Sequence, residues 1–419
     1  MFRKLMRKLF KRKKTLEVDK DFLFLKRHHS GKRTFLVLPQ EEQVNIFMAS
    51  VDPANFFGGY LAMYNVAKNF SDLGYKVRVI VIEQRKIAPE ELEKTINHDK
   101  RLMPFLKKVE FLPCCDEKQE VYISEKDIFI ATSIISARIA SEAVKKTVYS
   151  KFIFLAQEYE SIFFEHGHYS VLAAQSYRLD YFPIISTDIL QRYFVDNSII
   201  PEQNKGVYFN NPVLKFDLPA DFPKKRREGK KKLLFYARTQ LHATRNLYPI
   251  CCLALDRARE LGYFLEDEWE VIGIGAGVGV QLLPSGLKIQ HIGKFDMQNY
   301  KEVLPKHDLG LSLMLSPHPS LLPIEMAAAG MLVVTNTYDI KDQAYFDKIS
   351  SNIRAVSPDF ESVAQGLIES AQRVDDLESR FAGSQVHWPH TWEEALPSSI
   401  IEQAVREVIA SERATANRL

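Results

Sequence analysis

The sequence predicts an α/β protein of two doubly wound domains with a cleft between them, and three observations carry that prediction. Strand-length apolar runs alternate with segments of helical length through the first half; a stretch rich in proline and lysine breaks the pattern between Asn211 and Lys232; and the alternation then resumes. With 419 residues, 46% hydrophobic and 26% charged, the chain can bury two ordinary cores and has no bias toward disorder.

The first unit reads as a strand over 44–48, a loop over 49–59, a helix over 60–73 stopped by Gly74, and a strand over 77–82. Gly58 and Gly59 stand where the loop enters its helix, so backbone amides there can face an anion; ordinary turn glycines are the alternative. Further strands are expected over 127–131, 152–156 and 181–186. Ligands gather beyond the carboxyl ends of parallel strands, which places Gln157, Glu158, Tyr159 and Glu160 to line a cleft. His166 and His168 are not read as a metal pair, because i, i+2 spacing does not put both rings on one helical face.

The second domain opens with a strand over 233–237 that presents Arg238 at its tip. Arg245 and Asn246 follow, just before a helical stretch, so two guanidinium groups and a helix N-terminus can converge on one pyrophosphate. The run VIGIGAGVGV, residues 271–280, has alternate glycines after a strand but lacks the following helix that a nicotinamide site requires. A strand over 289–293 ends at Gly293 and presents Lys294, whose ammonium can reach a phosphate. A helix is expected over 300–304 and a strand over 309–315.

That strand leads into SPHPSLLPIEMAAAGMLVVTN, residues 316–336. Pro323 suits the first helical position, where no backbone N–H is needed, and Glu325 then falls in the first turn. Four small residues, 327–330, let the helix approach a sheet, and 331–335 reads as a strand buried on both faces. A carboxylate so placed can accept two hydrogen bonds from sugar hydroxyls; the plainer alternative is that Glu325 complements the helix dipole.

This segment resembles the donor site of retaining, family-4-type GT-B glycosyltransferases, in which a second glutamate holds the nucleotide ribose. The glutamate common eight positions earlier is Pro317 here. SLMLSPHPS followed by PIEMAAAG is closer to a subgroup of bacterial rhamnosyltransferases, including the S-layer glycan rhamnosyltransferases that use dTDP-rhamnose, and these lack that glutamate too. QEYE at 157–160 resembles the QDYE of the subgroup, whose acid and tyrosine belong to the active site. Glu158 is one methylene longer, and Leu321 replaces a usual tyrosine.

The resemblance implies a GT-B fold with an acceptor domain over 36–215, a nucleotide-sugar donor domain over 216–395, and a last segment, 396–419, that crosses back to the first. It implies a catalytic set of Glu158, Tyr159, Arg238 and Lys294. Gly58, Gly59, Gln157, Arg245, Asn246, Gly293, Ser316, His318, Leu321 and Glu325 would line the substrates. Arg238 is preferred to Arg245, because the interval between them is about two residues longer than is usual in the family. The expected reaction moves rhamnose from dTDP-L-rhamnose onto a glycan or lipid-linked saccharide with retention. The phosphate candidates are cations with no Asp-x-Asp motif beside them, so neither metal nor cofactor is expected. A NAD-type oxidoreductase and a non-catalytic sugar-binding protein are the alternatives.

Charge is unevenly placed. Residues 1–14 carry eight Lys or Arg and no acid, within a basic extension over 1–35, and the remainder carries 48 basic against 53 acidic residues. Phe2, Leu5, Met6, Leu9 and Phe10 fall at helical spacing opposite the basic face, the pattern of a segment lying on an anionic membrane surface. A solvated tail and a nucleic-acid arm are the alternatives, and the membrane reading, with no nucleic-acid partner, is the expectation. Without an apolar run long enough to span a bilayer, or the core of a signal peptide, the protein is expected in the cytosol, peripheral on the inner face of the plasma membrane. The cysteines, in adjacent pairs, are expected to be reduced thiols.

Overall fold

A computed structural model describes residues 31–53, 58–219, 221–222, 224, 228–275, 277–293 and 297–413. The basic tail over 1–14 and Lys294 lie outside the described residues.

The main sheet of the first domain follows the order β4 (Glu110–Pro113), β3 (Val77–Val81), β2 (Val44–Met48), β6 (Ile128–Ala131), β7 (Phe152–Ala156), β8 (Tyr181–Ser186), β9 (Val207–Phe209). Its strands are parallel throughout. A small parallel pair, β1 (Thr34–Val37) with β5 (Glu120–Ile123), lies apart from it. Every residue of β2, β3, β6, β7 and β8 is buried, as continuous apolar runs between two helical layers require. The polar exceptions are satisfied: Arg78 donates to Asn45 at 2.7 Å, and Asn45 donates to Asp127 at 2.9 Å. Helix α1 (Gly58–Asp72) presses Leu61, Ala62, Tyr64, Val66, Ala67 and Phe70 onto the core. Phe70 is fully buried, and truncating it to alanine costs about 3–5 kcal/mol.

The second domain has a related order. Its sheet runs β12 (Val278–Leu282), β13 (Lys288–Ile292), β11 (Trp269–Ile274), β10 (Lys231–Tyr236), β14 (Leu309–Leu311), β15 (Leu332–Asn336), β16 (Ile353–Val356). Only the edge hairpin β12–β13 is antiparallel. Alternate side chains of β10 serve opposite faces. Leu233 and Phe235 join the core beneath helices α3 (Tyr248–Glu260) and α5 (Phe360–Arg373), whereas Leu234 joins the one beneath α4 (Leu321–Ala328). Helix α2 (Ile134–Val144) packs on the first sheet after a capping box at Ser133 and Ser136.

One strand expectation needs correcting. The strand over 309–315 pairs only through Leu311, because the Asn336 side chain takes the Met314 amide at 2.6 Å and its carbonyl at 3.1 Å, drawing the chain out of the sheet. The glycine run over 271–280 leads into β12 and so into a hairpin rather than a helix, in line with the sequence reading against a nicotinamide site.

Helix α6 (Ser398–Ile409) buries Ile401, Ala404, Val405 and Val408 in the core of the first domain. The chain therefore passes between the domains twice, and the passages lie side by side. Trp388 donates its ring N–H to the Asn211 carbonyl at 2.7 Å, and the Val213 amide donates to the Pro389 carbonyl at 2.9 Å. Among the described residues no helix is long and apolar enough to cross a membrane.

Candidate active site

In both sheets the strand order reverses beside the first strand, between β2 and β6 and between β10 and β14. Loops leaving the carboxyl ends of parallel strands near such points diverge and open a crevice. The two crevices face each other, and residues of one domain bond residues of the other across them.

From the first domain, β7 delivers Glu158, which is 8% exposed. Its carboxylate accepts from the Ser316 hydroxyl of the second domain at 2.5 Å and from the Tyr159 amide at 3.1 Å. Burial raises its proton affinity, while Ser316, Arg245, the Tyr159 amide and Lys341 oppose that rise. Glu160 accepts from the Ile134 amide at 3.1 Å, at the start of α2, yet burial lifts its carboxyl to about 8. The Tyr177 hydroxyl links the two, donating to the Glu158 carbonyl at 2.9 Å and accepting from the Glu160 amide at 2.9 Å. Tyr159 packs against Tyr177 and Phe194. Gln157 donates to the Gly59 carbonyl at 3.1 Å, and a Cβ on Gly58 would meet Leu321 of the other domain at 3.7 Å.

The second domain supplies cations. Arg238 follows β10 and donates to Gln240 at 2.8 Å and to the Tyr236 hydroxyl at 2.9 Å. Arg245 lies closer to the opposite wall. Its guanidinium sits 4.4 Å from the ring centroid of Phe163, and its buried Nε has no hydrogen-bond partner. Burial lowers its proton affinity, Glu158 opposes that, and Arg238 adds to it. Of the two arginines, Arg245 is thus the one embedded between the domains, the reverse of the preference drawn from the sequence. Asn246 supports rather than lines the site: it is 5% exposed and donates to the Leu313 carbonyl at 3.1 Å.

Between them runs the loop after β14. Ser316 bonds Glu158, and the His318 amide donates to the Ser316 hydroxyl at 3.0 Å. His318 Nδ1 accepts from the Ser320 amide at 3.1 Å, so the neutral ring keeps its proton on Nε2. Burial, Lys341 and Arg245 together push this imidazole down to about 3. Gly293, at φ +82°, closes the β13 end, its carbonyl accepting from the Gly275 amide at 2.8 Å.

Glu325 lies two residues further along its helix than predicted. Ser320 takes φ +64° and turns the chain so that α4 starts at Leu321, which makes Pro323 the third helical residue and Glu325 the fifth. A proline is tolerated there because first-turn amides have no partner within the helix. The Glu325 carboxyl is held by the Tyr300 hydroxyl and the Leu214 amide, and burial raises it to about 7 against both. It is therefore engaged by the interdomain connection rather than by the amides of its own helix.

Three participants escaped the sequence reading. Lys341 is fully buried behind the β14 loop and donates to the Met314 carbonyl at 2.7 Å. Tyr300 reads from sequence as an ordinary helix residue, and no pattern in the sequence singles out Tyr177. Lys341 follows β15 by five residues, so the rule that located QEYE beyond β7 would have found it. His166 and His168 are exposed. Among the described residues no group of three or more His, Cys, Asp or Glu could hold a metal ion.

Comparison with known proteins agrees with this arrangement. Residues 43–187 match the family described as WsaF, N-terminal domain, and residues 231–368 match WsaF, C-terminal domain. The O-antigen biosynthesis protein RfbC of Myxococcus xanthus is 26% identical over 294 residues, which cover 67% of this chain and 21% of that protein. The chain thus spans about a fifth of the length of this relative. Among solved structures, HepE of Anabaena superposes with a TM-score of 0.55 at 13% identity, covering 88% of this chain and 100% of its own. TarM gives 0.57 at 10% identity, covering 88% and 96%, and the trehalose-6-phosphate synthase OtsA gives 0.52 at 13%, covering 89% and 100%. With both domains matched in order, two facing Rossmann-like sheets and a site built from both, the chain has the GT-B glycosyltransferase fold and belongs to the WsaF family.

Proposed function

We propose that this protein is a retaining glycosyltransferase that moves rhamnose from dTDP-L-rhamnose to a glycan or lipid-linked saccharide without a metal. The observation that carries the reading is Arg245, a buried guanidinium with an unpartnered Nε, set against a buried carboxylate on the opposite wall. An unpaired buried donor beside an interdomain crevice is a site for an anion. As the bond from the anomeric carbon to the diphosphate breaks, negative charge grows on the leaving group. Arg245, Arg238 and Lys294 would stabilise that charge more strongly than they stabilise the ground state. Glu158 and Tyr159 would meet the sugar or acceptor from the first domain, and Glu325 would exchange Tyr300 or Leu214 for a ribose hydroxyl.

The donor class is supported by the HepE structures, which hold UDP with glucose and UDP-glucose. The preference for dTDP-rhamnose rests on the sequence resemblance. Thermal unfolding with dTDP and turnover across a panel that includes dTDP-rhamnose and UDP-glucose test both levels. We expect dTDP to raise Tm and Arg245→Ala to remove most of that rise. Turnover of UDP-glucose alone would overturn the donor, and a wild-type protein unmoved by any nucleotide would overturn the function. The basic tail would hold the enzyme near a lipid-linked acceptor. Loss of binding to anionic vesicles on deleting residues 1–14 is the expected result, and undiminished binding would reject the anchor.

A further inference from the structure

The loop that bonds Glu158 is itself held from behind. Tyr338 and Lys341 close a tight turn, each amide donating to the other's carbonyl at 2.9 Å. Lys341 is fully buried, and its ammonium donates to the carbonyls of Met314 at 2.7 Å and His318 at 3.4 Å. These two carbonyls bracket Ser316, whose hydroxyl reaches Glu158. Asn336 secures Met314 from the other side through both of its backbone groups. The same turn also reaches the first domain, since Tyr338 packs on Tyr193 at 6.1 Å and Tyr193 on Tyr159 at 6.2 Å.

We propose that Lys341 is a positioning residue for the Glu158 carboxylate, acting through segment 314–318 and the Ser316 hydroxyl. A charged ammonium is a costly way to satisfy two carbonyls, because burying it forfeits several kcal/mol of hydration that neutral donors do not lose. The Glu158 carboxylate across the loop recovers part of that loss, since each group favours the charged form of the other. The groups facing the pair are Arg245 and His318 from the second domain and Glu160 and Tyr177 from the first. Lys341 thus sets both the direction of the carboxylate, through the loop, and its charge, through the field. This role deepens the proposed function, because it matters to catalysis only if Glu158 meets the substrate.

The test uses the full-length protein labelled with [5-13C]glutamate, with Glu158→Gln assigning the Glu158 carboxyl signal. In Lys341→Met the Glu158 titration should move up by about one pH unit or more, and Lys341→Arg should restore most of it. Ser316→Ala, which leaves the buried lysine in place, should move the titration in the same direction. With dTDP-rhamnose as donor, Lys341→Met should lower kcat roughly tenfold to a hundredfold with KM little changed, and adding Ser316→Ala should cost little more. An unmoved Glu158 titration in a folded Lys341→Met protein overturns the proposal. So do losses that multiply in the double variant. Should Lys341→Met fail to fold, an unmoved titration in Ser316→Ala overturns it equally. A wild type without turnover, but with the titration shifts intact, would refute the proposed function and leave the coupling standing.

Discussion

The two walls of the cleft are opposites in charge and alike in burial. On the first domain Glu158 and Glu160 are acids that burial drives toward the protonated state. On the second, Arg245, Lys341 and His318 are bases that burial drives toward neutrality. Each wall alone carries an unfavourable set of groups, and across the cleft Glu158 on one side and Arg245 and Lys341 on the other favour each other's charged forms. The difference teaches a division of labour under the proposed function: the cationic wall would receive the anion, and the acidic wall would meet the neutral sugar.

The comparison breaks most visibly at its two ends. Glu158→Gln should lower turnover by about 10²–10⁴, as loss of a catalytic carboxylate does, and Arg245→Ala by about 10²–10³. Rate measurements in which either variant stayed near wild type would remove that wall from the chemistry. Glu160 tests the acidic wall through stability. Its carboxyl binds a proton more tightly in the folded protein, so stability present at low pH is lost as pH rises from about 4.5 through about 8. The Tm should therefore fall between pH 5 and pH 8.5, by about 2–4 °C for each kcal/mol lost, and Glu160→Gln should flatten that slope. A parallel profile in the variant would assign the slope elsewhere.

Glu325 sharpens the contrast, being an acid on the cationic side. Its carboxyl, raised to about 7, is ionised at pH 8 and largely protonated at pH 6, so dTDP should bind several-fold more weakly at pH 6. Calorimetry on Glu325→Gln should find that dependence gone. The smallest effect expected is Phe163→Ala. This half-exposed ring covers Arg245, and its loss should weaken dTDP binding by about 0.5–1 kcal/mol, a few-fold in Kd. A change of a hundredfold would mean that the ring does more than cover the guanidinium.

Much of the fold was legible because buried parallel strands announce themselves as unbroken apolar runs. Phe152–Ala156 and Tyr181–Ser186 are found where the pattern puts them. QEYE was legible for the related reason that polar residues directly after such a run fall at a strand's carboxyl end. The start of α4 was not, since it depends on the positive φ of Ser320, in a loop whose Ser316 and His318 are held by Glu158 and Lys341 from distant parts of the chain. Strand β14 was overestimated because Asn336, at the end of the neighbouring strand β15, competes for the Met314 backbone. Lys341 stands beyond the carboxyl end of β15, where the rule that found QEYE points, but sequence records a charge there without recording that the chain folds back to bury it.

The paired crossings at Asn211–Val213 and Trp388–His390 have a mechanical consequence. Two connections bonded to one another act as one narrow hinge, like a pair of pins set close together on a door frame. Swinging of one lobe against the other leaves these bonds intact, whereas sliding along the interface would have to break them. Opening to admit a donor is thereby confined to a rotation that pulls the far rim of the cleft apart and barely moves the pivot.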